Sequence, residues 1–122
     1  AGKLANYYVG ISYLNLGKYN EAISSLEKFK SENETLNTLA IGAIGDAYSQ
    51  KNQPKEALDF YVKASQAAKN EFTTPRFLMK AGKTALALGN KADALKYFTE
   101  IKDVYDNTPE GQAVDAFIGL AQ

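Results

Sequence analysis

The groups in this sequence with any prospect of doing chemistry are carboxylates and hydroxyls. Asp46 and Asp115 sit on otherwise apolar stretches, Asp103 and Asp106 stand three residues apart, and Ser24 and Ser25 are adjacent. Acid–base work by two carboxyls needs both in one cleft, with environments that drive their pKa values apart. Nothing in the spacing places two of these together, and Asp103 and Asp106 read as a solvated helix end. Neither serine has a general base patterned beside it, so neither is set up as a nucleophile. The chain contains no histidine and no cysteine. That removes the commonest general base, the thiol nucleophile, and the imidazole and thiolate metal ligands. The glycines match no phosphate-cradling or dinucleotide fingerprint, and the acidic residues have no calcium-loop spacing. The chain is therefore expected to be a non-enzyme that takes no metal and no cofactor.

Charge narrows the partners. Lysine plus arginine equals aspartate plus glutamate, 14 of each, so the formal charge is zero. Nucleic-acid binding needs a concentrated basic face, and Arg76 is the single arginine able to make bidentate contacts. A nucleic-acid partner is not expected. No apolar run approaches the roughly 18 residues of a membrane span, and no signal-peptide pattern opens the chain. A length of 122 residues fits one domain that can bury a core without metals or disulfides.

The elements that carry these residues are helices, and they recur. Three segments each place a glycine, then an alanine twelve residues on, then a bulky residue four further: Gly10, Ala22, Leu26; Gly45, Ala57, Tyr61; Gly82, Ala94, Phe98. The alanines are 35 and 37 residues apart. A mid-helix glycine costs about 1 kcal/mol relative to alanine, so it implies a neighbour that must come close. Helices are predicted over 3–16, 19–31, 35–51, 54–69, 74–88, 91–105 and 109–121. Gly17 and Gly89 are the expected C-terminal glycines. Pro54, Pro75 and Pro109 are expected at first helical positions, with Thr74 and Thr108 as caps.

This periodicity and its small/large pattern resemble the tetratricopeptide repeat, whose period is near 34 residues. The resemblance implies an all-α, right-handed superhelical solenoid of about three helix hairpins. The repeats would run over about 3–34, 38–70 and 75–106, within a single domain spanning 1–122. Val114, Phe117, Ile118 and Ala121 lie at helical spacing, so 109–121 reads as a capping helix, or else as the first helix of a fourth repeat. The helical register is already running at residue 3, with no initiating Met. The chain thus reads as a fragment or processed form of something longer. The phrases Tyr8-Val-Gly-Ile-Ser-Tyr-Leu-Asn-Leu-Gly17, Gly45-Asp-Ala-Tyr48 and Asn70-Glu-Phe-Thr-Thr-Pro75 resemble a narrower group. These are bacterial membrane-anchored repeat proteins akin to the periplasmic chaperone-like partner of the Sec translocon. That resemblance implies an extracytoplasmic, membrane-anchored parent and a role in cell-envelope protein assembly.

The implied function is a scaffold that binds a protein or peptide in the concave groove lined by the first helix of each hairpin. Helical spacing assigns Tyr7, Ile11 and Leu14 to that face in the first hairpin. Leu39, Gly42, Asp46 and Ser49 follow in the second, and Arg76, Met79, Lys80 and Lys83 in the third. The Tyr7/Ile11/Leu14 stripe equally fits plain core or packing on a preceding repeat. The Arg76/Lys80/Lys83 row equally fits an ordinary solvated face. Co-chaperone repeats that grip a C-terminal carboxylate need polar donors where this chain has Tyr7, Ile11 and Ala43, so no tight grip on an acidic tail is expected. The alternative to a peptide scaffold is homodimerisation through exposed hairpin edges.

Overall fold

Seven helices occupy the chain in the computed structural model, which describes residues 2–122 and side chains from Leu4 onward. They are α1 (Gly2–Asn15), α2 (Tyr19–Glu27), α3 (Glu34–Gln50), α4 (Pro54–Ala67), α5 (Thr74–Ala87), α6 (Lys91–Val104) and α7 (Pro109–Ala121). No strand occurs among the described residues. Ala1, the first position of the domain expected over 1–122, lies outside them.

The turn inside each hairpin is built the same way three times. Gly17, Asn52 and Gly89 all take a left-handed conformation, with φ of 77°, 61° and 81°. The residue after each donates its N–H to a carbonyl five positions back: Lys18 to Tyr13, Gln53 to Tyr48, Asn90 to Ala85. This double-bonded helix stop satisfies carbonyls the helix end would leave open. Asn52 does what glycine does in the other two turns, because asparagine tolerates the left-handed region better than most residues.

Between the paired helices the small/large pattern does what its spacing predicts. A Cβ added at Gly10 would stand 2.6 Å from Leu26, and one at Gly45 would stand 2.8 Å from the Tyr61 ring. One at Gly82 would run into the Phe98 ring. Ala22, Ala57 and Ala94 have no exposed surface. Successive helices pack on each other, with further contact between α1 and α3 and between α5 and α7. The result is a helical solenoid of three hairpins, α1/α2, α3/α4 and α5/α6, closed by α7. Its interior falls into three clusters. Leu26, Phe29 and Ile44 centre the first, Tyr61 and Phe77 the second, and Phe98, Ile101 and Val114 the third. Helix α7 covers the last cluster with Val114 and Ala121, and its Phe117 ring lies 5.5 Å from that of Phe98.

Three local expectations are corrected. Helix α2 stops at Glu27 instead of residue 31, because Phe29 leaves the helical path to pack 5.2 Å from the Tyr7 ring. The Asn37 amide then holds Ser31 by both its N–H and its carbonyl. Thr74 is not the cap of α5. It is the first helical residue, which makes Pro75 the second, and its hydroxyl bonds to Ala68 and Asn70 while the Asn70 side chain accepts from the Phe72 and Thr73 N–H groups. Thr108 does cap α7, accepting the Gly111 N–H at 3.1 Å.

Candidate functional site

The first helices α1, α3 and α5, with Tyr19 and Tyr61 from the second helices, enclose an open recess of about 460 Å³. Leu14, Asn15 and Tyr19 line one side, Asp46, Ser49 and Gln50 the floor, and Tyr61 and Lys80 the other side. Its polar centre is Asp46. The carboxylate oxygen Oδ1 accepts from the Tyr61 hydroxyl at 2.6 Å and from Lys80 Nζ at 2.8 Å. The Lys80 ammonium also lies 5.7 Å from the centre of the Tyr61 ring.

Local packing explains why these three meet. Gly45 has no side chain, so the Tyr61 ring lies flat against α3 and its hydroxyl reaches the next residue, Asp46. Lys80 enters from α5, one hairpin further along. Both members of the ion pair are about one-third exposed. At that depth the attraction is screened less than at an open surface, and breaking it would leave a partly desolvated charge. The Tyr61 hydroxyl holds its proton far more tightly than a free phenol, first because it is buried and then because the Asp46 carboxylate accepts from it.

That proton has a consequence for stability. A phenol whose pKa is raised on folding contributes stability that is whole below its ordinary value near 10 and is lost as pH climbs from there toward the raised value. Tyr61→Phe should cost about 1 kcal/mol at neutral pH through loss of one hydrogen bond. The difference from the parent protein should narrow above pH ~10. Urea melts at pH 7 and pH 10.5 measure both effects. A pH-independent difference would show that the hydroxyl is not held as described.

The structure distributes the sequence-assigned residues unevenly. Leu14, Asp46 and Lys80 come together in the recess, with Ser49 beside them. Tyr7, Ile11 and Leu14 are half-buried against the first core cluster, and Tyr7 turns toward Phe29. Met79 is a correction: it is buried in the third cluster under the α6/α7 end, with 8% of its surface exposed, and is not part of the recess. Gly42 is a second, since it lies beneath the Phe77 ring. Arg76 and Lys83 are exposed but outside the recess. The Arg76 guanidinium rides 5.4 Å from the Phe77 ring centre and Lys83 Nζ 4.8 Å from that of Phe117. Asn15, Tyr19, Gln50 and Tyr61 line the recess without having been assigned to it. Tyr61 was within reach of sequence reasoning: it is the bulky partner of Gly45, and Asp46 is the next residue.

The recess offers a half-buried cation with spare donors, side-chain amides and an apolar wall. Those features suit a peptide main chain and its side chains. Among the described residues, no group of three acidic, histidine or cysteine side chains could hold a metal ion. No helix among them is long and apolar enough to cross a membrane.

Comparison with known families agrees with the architecture. A family model described as a tetratricopeptide repeat matches residues 4–33 and 77–108, and a second of the same description matches residues 40–74. The comparison with curated proteins gives no match.

Proposed function

The chain belongs to the tetratricopeptide repeat family, and from that premise we propose that it is a scaffold binding a peptide segment of a partner protein in the recess between α1, α3 and α5. Repeats of this family generally mediate protein–protein interactions and are typically not catalytic. The observation that carries the reading is the Asp46–Lys80–Tyr61 cluster at the centre of that recess. It fixes a cation with unused donors between Leu14 and Tyr19 on one side and Gln50 on the other. A peptide carbonyl or carboxylate would bind Lys80, and an apolar side chain would lie on Leu14. The likeness of Tyr8–Gly17 and Asn70–Pro75 to bacterial membrane-anchored proteins supports a partner met during cell-envelope protein assembly.

A peptide array probed with the purified chain tests this. Peptides it retains should bind Lys80→Gln and Leu14→Ala at least tenfold more weakly, about 1.4 kcal/mol, with circular dichroism confirming the fold. Unchanged binding by both variants would remove the recess from the reading.

One observation favours self-association as a second reading. The outer face of α1 exposes Leu4, Tyr8 and Val9, Leu16 is exposed in the turn that follows, and no charged residue occurs from Leu4 to Gly17. A two-fold contact places a surface against itself, so an uncharged face meets no like-charge repulsion. Light scattering over a dilution series separates the readings. A mass that doubles with concentration would favour this one.

A further inference from the structure

The early end of α2 opens a second cavity, on the other side of the solenoid. Helix α2 has 9 residues, while α4 and α6 have 14 each. Where the last turns of α2 would lie, residues 28–31 turn away and leave a recess of about 570 Å³. Its floor is Leu26, Ala40, Ile41 and Ile44, and Phe60 of α4 forms the far wall. At 100° per residue, Ile41 and Ile44 stand about 140° and 160° around α3 from Asp46, and the two recesses share no lining residue. This recess is therefore separate from the one proposed above and lies among the second helices.

Its walls are held. The Asn37 amide pins Ser31 through two hydrogen bonds, and the Phe60 ring is stacked 5.4 Å from Tyr48. Its volume is within the range of small-molecule and side-chain sites. The rim carries two exposed cations, Lys30 and Lys63, against one carboxylate, Glu27. Among the described residues neither lysine is in an ion pair, and Lys63 is poised 5.0 Å from the Phe60 ring centre. An apolar floor with unpaired cations at its edge is complementary to a bulky apolar side chain flanked by carboxylates.

We propose that this outer recess is a second protein-docking site, which takes an acidic partner segment presenting leucine- or phenylalanine-sized side chains to Ile41 and Phe60. The shortened second helix distinguishes the first hairpin from the other two, so among the described residues this site belongs to the first hairpin. The partner docks on the side facing away from the Asp46 recess, and the two segments bind without competing.

The probe is a fluorescein-labelled 12-residue peptide with two leucines four apart among aspartates and serines, followed by fluorescence anisotropy. Its counterpart has lysines in place of the aspartates. The acidic peptide should bind, and the basic one should bind at least tenfold more weakly. Ile41→Glu should weaken binding at least tenfold and the surface change Lys63→Glu at least fivefold. Lys80→Gln, in the other recess, should change it by less than twofold. The exposed position of Lys63 keeps the test valid if Ile41→Glu perturbs folding. The proposal is overturned if the acidic peptide does not bind at millimolar concentration, or if both peptides bind alike. It is also overturned if Lys63→Glu has no effect, if Lys80→Gln is the variant that abolishes binding, or if light scattering shows a second copy of the chain occupying the recess.

Discussion

Phe98→Ala is expected to lower the free energy of unfolding by about 3–5 kcal/mol, read from the midpoint and slope of a guanidinium melt. Phe98 has no exposed surface. Its ring lies under Gly82 on one side and against Phe117 on the other, so it joins α5, α6 and α7 at one point. Removing it forfeits the transfer free energy of the ring and leaves a hole that three helices cannot collapse around together. A domain of this size holds about 5–15 kcal/mol in total, so the loss should leave the protein marginal near room temperature. A cost below about 1 kcal/mol would mean that the third cluster is loosely packed and that α7 does not depend on it.

The second large effect has the opposite sign from what helix propensity alone dictates. Gly42 and Gly82 are both within helices, and replacing either by alanine should stabilise an isolated helix by about 1 kcal/mol. In this solenoid each substitution should instead cost about 3 kcal/mol, because the new methyl runs into the Phe77 ring in one case and the Phe98 ring in the other. Both rings are buried, at 1% and 0% exposure, so neither can swing away to make room. Gly119 is the control. A methyl there meets nothing within 4 Å, and Gly119→Ala should be neutral or stabilising by up to about 1 kcal/mol. Thermal and denaturant melts of the three variants decide the matter. If Gly82→Ala stabilises, α5 and α6 are further apart than described. In the Phe98→Leu background the cost of Gly82→Ala should fall by more than half, since the two residues contend for one space.

The parts of this fold that the sequence exposes are those governed by local size. Gly10, Gly45 and Gly82 stand sixteen residues before Leu26, Tyr61 and Phe98, and that spacing alone identifies the paired surfaces. Gly17 and Gly89 likewise mark their turns, because few other residues adopt a positive φ. The turn between α3 and α4 is quieter, since Asn52 does the same work without glycine's signature.

The concave assignments were legible only in part. Leu14, Asp46 and Lys80 do converge, but Met79 and Gly42 are covered. A helix such as α5 has neighbours on several sides, and its period of 3.6 residues does not say which apolar residue faces which neighbour. Met79 falls under the end of the third hairpin and Gly42 under Phe77, both supplied from beyond their own helix. The outer recess left no trace in the pattern. It depends on α2 ending at Glu27, with no glycine or proline following, through a side-chain hook between Asn37 and Ser31.

The three interior clusters have a bearing on how such a chain varies in length over generations. Each joins helices that are near neighbours, and among the described residues no side-chain hydrogen bond or ion pair ties the first hairpin to the last. A whole hairpin could be duplicated or excised at the links between hairpins, residues 28–33 and 68–73, and each remaining pair would keep the packing between its own two helices. Selection could then lengthen or shorten the array in units of one hairpin, and would act afresh only at the newly joined seam.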